Sequence, residues 1–283
     1  MSTLSCCNDF AIFIFFFVFI WKSFSLLYVH FIGHAFGKTP DLRKFGKWCV
    51  VTGCTSGIGK SYTIVFAKLG LNMVKVITAD FAIVSDKLFK RIKDGLKGLD
   101  IGILVNNVGA VHQINKFCDI PNIESEIQRM INVNSMSHTM LTSMVLPKMA
   151  EKDRGLILYM SSISATEPSK QLQLYGSTKA YIDYFSRTLN EEYGSESLII
   201  QSVLPGPVCS NIVRTTPSLF CPSSDDYVIS QLKTIGLSSR TVGYFPHNLL
   251  IAFMFILNLM PKAISRKILD NFVERSRKVC NKD

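Results

Sequence analysis

Tyr175-Gly176-Ser177-Thr178-Lys179 sets a tyrosine and a lysine four residues apart, one above the other on a single helix face. An ammonium so placed favours the phenolate over the phenol and lowers the tyrosine pKa from its solution value of ~10. A tyrosine tuned that way hands a proton to a carbonyl oxygen, or takes one back, near neutral pH. Alone the pair is weak evidence, because the same spacing recurs by chance on exposed helices. A second stretch strengthens it. Gly53-x-x-x-Gly57-x-Gly59 follows the apolar Val50-Val51 and opens a helical pattern. Glycines there let the backbone approach a pyrophosphate seated at the helix N-terminus.

Three more signals follow in order: Asn106-Asn107-Val108-Gly109 after the apolar run Ile101 to Val105, then Asn134, then Ser161-Ser162, with Ser162 13 residues before Tyr175. Pro205-Gly206-Pro207-Val208 closes the series behind Leu198 to Leu204. The ordered set resembles the short-chain dehydrogenase/reductase family over residues 45–283. The nearer likeness is to its membrane-bound branch of 17-beta-hydroxysteroid dehydrogenases and very-long-chain 3-oxoacyl-CoA reductases. The resemblance implies reversible hydride transfer between a nicotinamide and a lipid carbonyl/alcohol pair, within lipid or steroid metabolism such as fatty acid elongation. It makes Tyr175 the general acid and gives Lys179 two tasks, lowering the tyrosine pKa and holding the nicotinamide ribose. Ser162 then donates to the substrate oxygen, and Asn134 completes a water-linked proton path. For the cofactor, NADP with NAD as the other option, the resemblance assigns Gly53, Ser56, Gly57, Ile58, Gly59, Asp80, Asn106, Gly109, Tyr175, Lys179 and Ser210.

The elements that must position these residues are those of a Rossmann-like, doubly wound parallel sheet. Trp48 to Val51 reads as its first buried strand, and residues 58–69 as a helix capped by Gly70. Residues 123–149 read as one amphipathic helix carrying Asn134 and ending at or just after Pro147. Gly155 to Ser162 and Leu198 to Leu204 read as buried strands. Residues 172–193 are the helix of the Tyr-Lys pair, ended by Gly194.

One strand-helix unit is missing between Val74 and Val76. Asp80 stands 21 residues after Gly59, a spacing that fits an acid on the adenine ribose. The helix pattern from Asp86 to Leu99, with a strand and Asn106 directly behind it, instead places Asp80 at the end of the third strand of the resembled fold. Roughly thirty residues are then absent, including the basic residue that usually grips the 2′-phosphate of NADP; Lys75 is a makeshift substitute or a solvated charge. Leu71 to Asp80 is expected to form a single fused strand beside Val50-Val51, because a direct join leaves no room for a crossover helix.

Composition sets the surroundings. The 283 residues support one large domain with attachments, and a hydrophobic share of 48% is high for a wholly soluble chain. The net charge of +10 points to an anionic contact. No basic run with interleaved aromatics suggests nucleic acid, so a membrane surface or the phosphates of a cofactor and acyl carrier fit better. The eight cysteines make no metal-type CxxC pairs and read as reduced thiols; no metal is expected. Residues 10–32 are apolar but for Lys22 and a few polar positions, long enough to span a bilayer core of ~30 Å. Lys38, Arg43, Lys44 and Lys47 follow that stretch, so the positive-inside rule puts the catalytic portion in the cytosol. The resemblance implies the endoplasmic reticulum membrane.

Residues 1–36 are thus expected to be a membrane anchor, 45–215 a dinucleotide-binding catalytic domain, and 216–283 an apolar lid with a basic tail. Leu249 to Met260, apolar but for Asn258, suits a substrate lid, a core helix or a membrane-resting segment. A homodimer stays open, as do steroid against acyl-CoA substrate and an active enzyme against a weakly active or shortened relative that lost cofactor binding.

Overall fold

Runs of valine, isoleucine and leucine between turn residues build the centre of the molecule in this computed structural model, which describes residues 3–70, 75–261, 264, 265 and 268. Five parallel strands lie side by side in chain order: β1 (Trp48–Val51), β2 (Ile101–Asn106), β3 (Gly155–Met160), β4 (Leu198–Val203) and β5 (Arg240–Thr241). Val50, Leu104, Ile157 and Ile200 stand opposite one another across the first four. β3 and β4 are buried throughout and β2 at all but its first residue, as strands covered on both faces must be.

The nine α-helices are α1 (Thr3–Leu27), α2 (Gly33–Ala35), α3 (Gly57–Lys68), α4 (Asp86–Leu96), α5 (Ile123–Ile131), α6 (Ser137–Glu151), α7 (Gln173–Tyr193), α8 (Ser224–Leu232) and α9 (Phe245–Leu259) among the described residues. Alternate strand residues feed opposite faces of the sheet. On one face, Tyr62 and Phe66 of α3 with Tyr227 and Val228 of α8 pack on Ile103, Val105, Leu156 and Leu158. On the other, Phe89 and Ile92 of α4, Leu141 and Val145 of α6, and Ile182 of α7 cover Leu104, Ile157 and Ile200. The doubly wound architecture, short of one unit, is therefore present.

The chain changes faces between α3 and α4, and two expectations are corrected there. Leu71 to Val74 lie outside the described residues, but Lys75 to Asp80 form no strand. Ile77 lies against α4, where a Cβ on Gly95 would meet it at 2.6 Å, and Arg91 donates to the Thr78 carbonyl. These contacts commit the segment to the helix, not to the edge of β1. Nor is β1 a buried strand: all four residues are half-buried, and among the described residues it pairs only with β2.

The helix read over 123–149 is α5 and α6 joined by a π turn, Asn132–Met136. It runs through Pro147 and ends shortly after it, at Glu151, as the sequence allowed. A proline inside a helix costs about 3 kcal/mol, here offset by burial of Val145, Leu146 and Met149 around it. At the N-terminus, Phe16 to Ala35 is a 20-residue stretch long and apolar enough to cross a membrane, overlapping the 10–32 read in the sequence. Its foot is tied to α9 by an edge-to-face contact of Phe31 with Phe245 (5.1 Å between centroids) and a His30–Asn248 hydrogen bond of 3.0 Å. α9 is not a core helix, for it exposes Phe253, Phe255 and Ile256.

Candidate active site

The C-terminal ends of β1 to β4 open into a cleft of about 330 Å³ lined by Gly53, Ser56 to Ile58, Asn107 to Gly109, Ser162, Tyr175, Lys179 and Ser210 among others. Thr52 holds its floor together. Its hydroxyl donates to the Val105 carbonyl (3.2 Å) and accepts from the amides of Asn107 (2.8 Å) and Val108 (2.9 Å), which ties the end of β1 to the end of β2.

α7 presents Tyr175 half-buried at the cleft and Lys179 one turn deeper, 3% exposed. The Lys179 ammonium lies 5.8 Å from the centre of the Tyr175 ring and donates to the Met160 carbonyl at 2.7 Å. Burial pulls the lysine down to about 8. His138 stands nearby; burial, and then the charge on Lys179, push it down to about 3, so it is neutral and donates to the Val108 carbonyl (2.9 Å). Ser162 sits just past β3, where its hydroxyl oxygen accepts from the Ser164 amide (3.1 Å), leaving its proton to point elsewhere. A proton donor, a buried cation and a hydroxyl thus converge on one opening, an arrangement able to polarise and protonate a carbonyl.

Of the residues singled out from sequence, the structure places Gly53, Ser56, Gly57, Ile58, Gly109, Ser162, Tyr175, Lys179 and Ser210 on the cleft. Gly59 lies beneath, where a Cβ would strike the Gly53 carbonyl oxygen at 2.3 Å. Asn106 is fully buried behind the wall, donating to Thr142 at 3.2 Å, and its neighbour Asn107 lines the cleft instead. The two alternate across the strand end, so only one can face the opening. Asp80 does not reach it: the side chain is exposed and accepts from the Ala82 amide at 2.9 Å. Lys75 is likewise exposed and away from the lining. Asn134, in the π turn, clamps Ala110 with two bonds (2.8 and 2.9 Å) and donates to Thr178 at 3.0 Å.

His247 of α9 was not legible beforehand. It is fully buried, accepts from the Gly206 amide (3.0 Å) and donates to the Pro207 carbonyl (3.2 Å), fixing the turn that forms one lip. Burial lowers it to about 4, so it stays neutral. The signal available was a lone histidine opening an apolar helix, too little to separate it from packing.

The cradle fits one part of a dinucleotide. Gly53 and Gly57 hold φ of +63° and +53°, and a Cβ on Gly57 would lie 3.1 Å from Ser210. Ser56 makes no capping bond, which leaves the first amides of α3 facing outward for an anion. Beyond β1 no described strand walls the far side. Among the described residues no group of three or more His, Cys, Asp or Glu could hold a metal ion.

Comparison with known proteins agrees with this geometry. The model of the short chain dehydrogenase family matches residues 77–218. The human very-long-chain 3-oxoacyl-CoA reductase is 39% identical, over 91% of this chain and 88% of that protein. Very-long-chain 3-oxoacyl-CoA reductase-B of Danio rerio is also 39% identical, over 81% and 80%. Among solved structures, a short-chain dehydrogenase from Sphingobium yanoikuyae in complex with NADPH superposes with a TM-score of 0.55 at 26% identity, over 64% of this chain and 80% of that one.

Proposed function

The chain belongs to the short-chain dehydrogenase family, and on that footing we propose that it is an NADP(H)-dependent reductase of long-chain 3-oxoacyl-CoA at the endoplasmic reticulum membrane, with its cleft in the cytosol. The observation that carries the chemistry is the meeting of Tyr175, Lys179 and Ser162 around one opening. The substrate class follows the names of the relatives. Three features support the location: an apolar helix over Phe16 to Ala35, basic residues behind it, and the exposed apolar face of α9.

The nicotinamide cofactor supplies the hydride when bound. Tyr175 gives its phenolic proton to the carbonyl oxygen as that oxygen gains charge. Lys179, held in its charged form below about pH 8, stabilises the phenolate left behind. Ser162 donates to the same oxygen, its own oxygen already engaged by the Ser164 amide. Asn134 keeps Ala110, and with it the Gly109 backbone beside Lys179, in place.

One observation favours reduced activity: β1 has no described neighbour on its outer side, and among the described residues Lys179, buried beside Tyr175, is the one basic side chain on the cleft, with none at the β1 side to receive a 2′-phosphate. A charge-assisted contact of that kind contributes roughly 1.5–3 kcal/mol. Cofactor binding is therefore weak, with little preference for NADP over NAD.

Detergent-purified protein given a 3-oxoacyl-CoA should consume NADPH slowly, and the Tyr175→Phe variant not at all. Equal rates in the two would overturn the assignment of the acid. Protease added to intact microsomes should digest the Tyr175 domain; its protection by sealed vesicles would refute the topology.

A further inference from the structure

Two cysteines flank the segment that overhangs the cleft. Cys209 follows β4 directly behind Val208, and Cys221 precedes α8; between them, Ser210 to Val213 line the opening. Their sulfur atoms are 3.2 Å apart, and the Cys209 thiol also faces the Cys221 carbonyl at 3.3 Å. Backbone bonds hold both ends. The Cys209 amide donates to Pro222 (2.9 Å), and Ser218 and Cys221 exchange a reciprocal pair of 2.9 and 3.1 Å. The Ser224 hydroxyl donates to the Cys209 carbonyl (2.8 Å). The sulfurs need only about 1 Å of approach to reach the S–S bond length of ~2.05 Å.

We propose that Cys209 and Cys221 close into a reversible disulfide by exchange with a small-molecule disulfide, clasping residues 210–220 over the cleft and slowing exchange of its ligands. Cys209, the more exposed, begins. Its thiolate attacks one sulfur of the small disulfide and the other half leaves as a thiolate, which takes up a proton. Cys221, 7% exposed, then loses its proton to solvent and attacks the Cys209 sulfur, releasing the second half. Two protein thiols are oxidised to one disulfide and one small disulfide is reduced to two thiols. Burial, and then the neighbouring thiol, raise Cys221 above the ordinary thiol range, so Cys209 starts the exchange; once Cys209 is in the mixed disulfide its part of that effect is gone and Cys221 follows. In a cytosol-facing domain a disulfide of this kind is transient and redox-sensing, not structural. The mode of control rests on the cofactor reading above; the bond itself does not.

The full chain in detergent is treated with oxidised glutathione, alkylated, and digested without reductant. The expected result is a linked pair of peptides containing Cys209 and Cys221, reopened by dithiothreitol. In Cys221→Ser, Cys209 should instead retain glutathione. Recovery of both cysteines as separate glutathione adducts or alkylated thiols would overturn the proposal, as would a bond that resists dithiothreitol. Stopped-flow release of NADPH should slow several-fold on oxidation of the native chain and not of Cys221→Ser. Equal release rates with the bond closed would overturn the clasp. Absence of any NADPH binding would fail the cofactor reading while the peptide result still decides the disulfide.

Discussion

On the flank built from β3, β4 and α7, strands are buried on both faces, and Lys179 is held by burial and by the Met160 carbonyl. On the flank of β1, the strand is half-buried, the following residues 75–80 leave for α4, and Asp80 points to solvent. On the proposed mechanism the first flank carries the proton chemistry, and the second should grip the cofactor's adenosine half. An enzyme of this kind needs both, but they fail differently. Loss of the first removes turnover. Loss of the second leaves turnover that an excess of cofactor can reveal.

The largest expected effect tests the intact flank. Tyr175→Phe keeps the ring packing and removes the proton donor, so turnover should fall by ~10²–10⁴, the usual contribution of a general acid. Cofactor affinity should be nearly unchanged by fluorescence titration; a matching loss of affinity would show that the flanks are not separable.

Lys179 sharpens the same side through pH. Its native pKa is about 8, below the ordinary 10.5. Between those values the unfolded chain binds more protons than the folded one, so native stability rises with pH across that window. The gain is roughly 3 kcal/mol by the conversion of ~1.4 kcal/mol per pKa unit. Denaturant unfolding of Lys179→Met should lack that rise. Reductase activity of the parent should run the other way, declining above about pH 8 as the ammonium is lost.

The stripped flank predicts smaller changes. Inserting a relative's strand-helix-strand segment at Lys75 should raise NADPH affinity about tenfold or more, the worth of one restored charge-assisted contact. Sub-micromolar binding by the unaltered chain would erase the contrast. Smallest of all, Asp80→Ala should leave NADPH and NADH affinity unchanged; a measurable loss would place that carboxylate on the cofactor after all.

The same division separates what the sequence made legible from what it did not. Tyr175, Lys179 and Ser162 could be read because their spacing along a helix and at a strand end sets their geometry locally. β1 to β4 could be read because long apolar runs between turn residues have few alternatives. Asn106 and Asn107 could not be told apart, since the choice depends on which side of β2 faces the opening. The π turn at 132–136 left no mark, because one extra residue hardly disturbs an amphipathic pattern. Val76 to Asp80 looked like a strand by composition, yet the contacts of Ile77 and Thr78 with α4 decided otherwise, and those are tertiary. His247 took its role from a turn forty residues earlier.

The exposed face of α9 also changes how substrate is counted. With Phe253, Phe255 and Ile256 turned outward and His247 of the same helix under the lip of the cleft, the proposed function would have the protein meet its substrate within a sheet of lipid. The governing quantity is then mole fraction in the bilayer, not molarity in the surrounding water. In vesicles with a fixed amount of long-chain substrate, adding inert phospholipid should slow the enzyme, whereas adding buffer should leave its rate unchanged.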